Sequence, residues 1–152
     1  MQRGNTLAAA AALALLAGGC GERKPDGISV RDAWVRMPAA KGLPGAAYFR
    51  VEGGAEGTQL TGVSSPLAAR AELHESTAQG GMSAMKRLRQ VEFDYRGRIA
   101  FEPGGRHVML FGLNAAVKPG TRLPLTLAFN AAPPVTVEAE VRDAAGESHA
   151  GH

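Results

Sequence analysis

Leu123-Pro124-Leu125-Thr126-Leu127-Ala128-Phe129-Asn130 carries Leu123, Leu125, Leu127 and Phe129 on one side of a two-residue repeat, and Pro124, Thr126, Ala128 and Asn130 on the other. Twelve residues on, Val135, Val137, Ala139 and Val141 alternate in the same way with Thr136, Glu138, Glu140 and Arg142. A period of two with one dry and one wet face is the signature of a half-buried strand, because successive strand side chains point to opposite faces. Asn130 to Pro134 joins the two runs, and Lys118-Pro119-Gly120 has turn chemistry ahead of the first.

Working back from this pair, shorter runs of the same kind lie at Ile28–Val35, Ala47–Val51, Leu60–Val63, Ala69–His74, Val91–Asp94, Arg98–Glu102 and His107–Phe111. No long stretch has a 3.6-residue or heptad period, and the chain is rich in glycine (20) and proline (9). Short strands at this spacing, with no helical runs between them, predict an all-β antiparallel sandwich or barrel.

Residues 1–19 read as a cleaved targeting segment. Arg3 supplies a short basic region, the apolar run Leu7–Ala17 follows, and Gly18-Gly19 precede Cys20. The run is well short of the ~20 residues of a membrane-spanning helix. Leu15-Leu16-Ala17-Gly18-Gly19-Cys20 resembles a bacterial lipoprotein box, and Cys20 is the only cysteine in the chain. An unpaired thiol in an exported protein is anomalous, and lipidation would resolve it. The expected organisation is therefore a lipoprotein signal over 1–19, a tether over 20–26, one β domain over 27–141, and a polar, disordered tail over 142–152. That places the protein in the periplasm or cell envelope, held to a membrane by lipid on Cys20. The net charge is only +3, with Lys and Arg scattered rather than clustered, which argues against a nucleic-acid face.

Chemistry concentrates between His74 and Met109. Ten residues separate His74 from Met85, twenty-one separate Met85 from His107, and Val108 alone separates His107 from Met109. Imidazole and thioether are neutral, soft-to-borderline ligands that suit copper(I) and suit magnesium or calcium poorly. If Arg106–Leu110 is a strand, His107 and Met109 share a face, roughly 7 Å apart, while Val108 and Leu110 point into the core. Two ligands on that strand, met by His74 and by Met85 from a preceding loop, would hold one copper(I) per chain.

The spacing His74-x10-Met85-x21-His107-x-Met109 resembles, without gap or insertion, the motif of the periplasmic copper chaperones of the PCuAC type. Asp32-Ala33-Trp34-Val35-Arg36, Ala46-Ala47-Tyr48, Ser64-Ser65-Pro66, Glu72-Leu73-His74-Glu75, Pro103–Leu110 and Leu123–Leu127 are similar to that family as well. The resemblance covers about residues 27–141 and implies a cupredoxin-like Greek-key fold, with delivery of copper toward the CuA centre of cytochrome c oxidase. Many members carry Met two residues after the first His, where this chain has Ser76.

Met82 lies nearby, off the usual register, as an auxiliary ligand candidate. His149 and His152 form a second constellation in the tail, able to take up copper(II). Glu72, Glu75 and Arg106 flank the ligands and are expected to be solvated rather than bonded to the imidazoles, and Trp34 is expected in the core. A blue electron-transfer copper site needs a thiolate, which a lipidated Cys20 would not supply. No nucleophile elbow, paired-carboxylate motif or zinc-hydrolase motif appears, so no enzymatic activity is expected. Copper storage or detoxification, and a metal-free structural lipoprotein, are the competing readings.

Overall fold

The computed structural model describes residues 27–146. Ten strands occupy them: β1 (Ser29–Arg36), β2 (Gly45–Glu52), β3 (Gln59–Ser64), β4 (Ala68–Gln79), β5 (Met82–Leu88), β6 (Val91–Glu92), β7 (Arg98–Phe101), β8 (Arg106–Leu113), β9 (Arg122–Phe129) and β10 (Val135–Arg142). There is no helix among the described residues. The hydrogen-bonded order is β5-β4-β8-β2-β1-β10-β9-β3-β6, with β7 pairing β2 where β8 leaves it. β3 and β4 pack together without a ladder between them, closing the curled sheet on itself. The all-β, cupredoxin-like class expected from the sequence is what forms. One pair departs from the antiparallel expectation: β1 runs parallel to β10, with Trp34 opposite Glu140.

The alternation that announced β9 and β10 is the burial pattern observed. Leu123, Leu125 and Leu127 are fully buried, as are Ala139 and Val141. Pro124 lies beyond the β3 ladder, which ends at Thr126, so its missing N–H breaks no bond there. The core joins these residues to Val35, Phe49, Phe101 and Leu110. Phe49 and Phe101 are cross-strand partners with ring centroids 4.6 Å apart. Burying each large apolar side chain contributes about 1.5–3 kcal/mol, which is why these faces set the strand registers.

Trp34 is not a core residue. Asp32 has φ of 53°, the one positive φ among the described non-glycine residues, and the β1–β2 register slips between Arg31 and Trp34. This bulge inserts a residue and exchanges the faces. Val30 packs on the core before it and Val35 after it, so Trp34 emerges on the outer surface. There its ring lies 4.6 Å from that of Tyr48, tilted by 34°, with the Arg142 guanidinium 4.5 Å away. Arg142 thus belongs to β10, one residue past the expected domain end, and a turn closed by the Gly146 N–H donating to the Asp143 carbonyl follows. Cys20, His149 and His152 lie outside the described residues.

A further correction concerns the segment that carries Met85, expected as a loop. β4 continues to Gln79 and β5 returns from Met82, the two paired from Leu73↔Leu88 to Gln79↔Met82. Gly80 and Gly81, at φ of 59° and 77°, form a two-residue turn with both residues left-handed, which suits the strand twist. The arm escapes sequence reading because it has no buried face: every residue from Thr77 to Arg87 is exposed.

Candidate metal centre

β4 and β8 build the site by alternation. Leu73 faces Val108 and Ala71 faces Leu110 on the core side. The intervening pairs, Glu72↔Met109 and His74↔His107, therefore point outward. The two imidazoles are directly opposite, ring centroids 5.9 Å apart and planes 27° from parallel. His107 is 7% exposed and Met109 half-buried. On the other side of β4, Arg87 is the partner of His74 and Met85 the partner of Ser76. Met85 thus shares the outer face with both histidines, one pleat along from His74, and is 56% exposed. All four residues singled out by spacing project from one face of β5-β4-β8. Met82 does not join them: opposite Gln79 and three residues from Met85, it projects from the other face of the hairpin.

The hydrogen bonds around the rings fix what each can offer. His107 Nδ1 lies 3.1 Å from the Gly105 carbonyl, which can only accept, so Nδ1 carries the proton. No described residue engages Nε2, which is left with its lone pair. His74 Nε2 donates to Glu72 Oε2 at 3.0 Å, leaving Nδ1 as the acceptor nitrogen, and that atom is buried without a partner. A buried, unsatisfied acceptor costs about 1–3 kcal/mol, and a soft cation is one way to satisfy it. The set of two basic imidazole nitrogens and two thioethers on one face fits copper(I). Among the described residues no group of three or more His, Cys, Asp or Glu is placed to hold a metal ion.

Glu72 is not the solvated residue expected. Its side chain is 13% exposed, because it points sideways along the strand at His74 rather than out to water. Its Oε1 is held by Arg70 at 2.9 Å, with Arg87 at 3.8 Å. The hydrogen bond with His74 holds its carboxyl below the ordinary value; burial opposes this, and Arg87 and Arg70 reinforce it. Arg70 itself lies over the Phe111 ring at 4.1 Å. Glu75 and Arg106, expected to be solvated, instead pair with each other at 3.2 Å, part-buried. Of the two readings open for Glu72, solvated or bonded to an imidazole, the structure has the second: a carboxylate two residues from a histidine on a strand shares its face. A surface depression bordered by Trp34, Arg50, Glu102 and Arg142 contains none of the four ligand candidates.

With the fold and the geometry described, comparison with known proteins gives a consistent result. The family of LpqE-like lipoproteins matches residues 28–141. Lxx21020 of Leifsonia xyli subsp. xyli (strain CTCB07), described as a lipoprotein, is 30% identical over 126 residues, covering 82% of this chain and 75% of the relative. Among solved structures, the copper-bound PCuAC domain from PmoF2 superposes with a TM-score of 0.62 at 25% identity, covering 76% of this chain and 92% of that one. The copper(I) form of DR1885 from Deinococcus radiodurans superposes with a TM-score of 0.56 at 29% identity, covering 76% and 75%.

Proposed function

Because this chain belongs to the LpqE-like lipoprotein family and has the fold of PCuAC domains, we propose that it is a copper(I) carrier of the bacterial cell envelope. It holds one copper(I) through His74, Met85, His107 and Met109. The observation that carries this reading is the meeting of His74 and His107 on the outer face with a buried, partnerless Nδ1 on one of them, beside two thioethers. The copper-bound state of the related PCuAC domain and the copper(I) form of DR1885 support it. The function is carriage rather than catalysis.

A thioether cannot be oxidised to a disulfide, so such a site keeps copper(I) where a cysteine pair would be compromised. Neutral ligands also bind copper(I) less tightly than thiolates do, so metal leaves for an acceptor that presents them. The acceptor proposed is a reduced two-cysteine domain of the CuA type, as in cytochrome c oxidase. Met85, the most exposed ligand and carried on the hairpin arm, is the first to yield. Lipid on Cys20 tethers the carrier to a membrane, in keeping with its family. The tail histidines His149 and His152 are a separate, weaker copper(II) site.

Competitive copper(I) titration tests the reading. The protein should bind one equivalent, and a His74→Ala, His107→Ala double variant should bind none. Unchanged stoichiometry in the double variant would reject the assignment.

A further inference from the structure

The two histidines are held by different nitrogens. A backbone carbonyl holds His107 through Nδ1, and a carboxylate holds His74 through Nε2. Each ring faces an oxygen: the Gly105 carbonyl can only accept, and Glu72 turns Oε2 to His74 while its Oε1 accepts from Arg70. The proton must therefore sit on opposite nitrogens in the two rings. We propose that Glu72 is a positioning residue that, together with the Gly105 carbonyl, locks the imidazoles in opposite tautomers, so that metal is offered Nδ1 of His74 and Nε2 of His107.

Each end of the lock is itself held. The Gly105 carbonyl also accepts from the Ser76 N–H at 3.1 Å, which ties the turn before β8 to β4. Glu72 cannot rotate away from His74 without breaking its 2.9 Å bond to Arg70, and Arg70 is seated on Phe111. Phe111, Arg70, Glu72 and His74 thus form one chain of contacts along the outer face, ending at the nitrogen opposite the free lone pair. Such a partner fixes ring orientation and raises ligand basicity.

The inference rests on the copper reading above, but its test begins without metal. Nitrogen-resolved NMR of the metal-free protein, at a pH where both rings are neutral, should show His74 protonated at Nε2 and His107 at Nδ1. The latter is the less common form of a free histidine side chain. The His74 Nε2 proton should be protected from exchange with water. Glu72→Leu, similar in volume, should lose that protection and weaken copper(I) binding about 10- to 100-fold. Glu72→Gln, which keeps an acceptor oxygen, should retain the protected proton and most of the affinity. A proton on His74 Nδ1 in the wild type would overturn the proposal, as would a Leu variant indistinguishable from wild type in both readouts. Correct tautomers in a protein that binds no copper(I) would instead reject the copper reading while upholding the lock.

Discussion

At the scale of single residues, the four ligand candidates differ in how firmly the fold holds them. His107 and Met109 flank Val108, which is fully buried, so the outward direction of both follows from one core residue. The same logic failed at Trp34, because Asp32 at a positive φ inserts a bulge that no periodicity announces. Asp is one of the few non-glycine residues that tolerates that conformation, but most aspartates do not adopt it. The ligands also differ in constraint, and this gives a prediction. Met109 sits on β8 between Ala46 and Glu72, whereas Met85 is exposed on an arm. Met85→Ala should weaken copper(I) binding about tenfold, or about 1.4 kcal/mol, and leave transfer to a reduced two-cysteine acceptor intact. Met109→Ala should weaken binding by more. Competitive titration of both variants checks the order.

Among the strands, those with a buried face could be read from the sequence and the one without could not. β9 and β10 were found nearly to the residue because half of each lies in the core. β5 was missed because Met82–Arg87 buries nothing, and its pairing rests on backbone hydrogen bonds and the Gly80-Gly81 turn. A hairpin held in that way is sensitive to its turn. Gly81→Val places a β-branched residue at φ of 77°, a conformation costing about 1–2 kcal/mol without glycine. Hydrogen exchange should speed up at the amides of Met82–Lys86, while those of Val108 and Leu110 keep their protection. Copper(I) affinity should fall with the arm, since Met85 is delivered by it. Equal acceleration in β8 would mean that the arm and the barrel unfold as one unit.

At the level of the molecule, composition and strand spacing implied an all-β barrel or sandwich, but the order of strands was not readable from them. The parallel β1–β10 pair and the ladder-free closure of β3 on β4 depend on contacts distant in sequence. The core that results is shared by both halves of the sheet, and its stability should be cooperative. Phe101→Ala removes the ring stacked on Phe49 and should lower unfolding stability by about 3–5 kcal/mol in a denaturant titration, in a single transition. Cys20→Ala should move the protein from the membrane to the soluble envelope fraction, and retention at the membrane would rule out the lipid anchor. Strands β5, β4 and β8 are neighbours in the sheet, and the proposed function has them hold one copper(I) on their shared outer face. X-ray absorption of the protein loaded with one equivalent of copper(I) tests that claim most directly. The account predicts a mixed first shell of two imidazole nitrogens and two thioether sulfurs, with the sulfur contribution reduced in Met85→Ala and in Met109→Ala. A shell without sulfur, or one unchanged by removing either methionine, would contradict it.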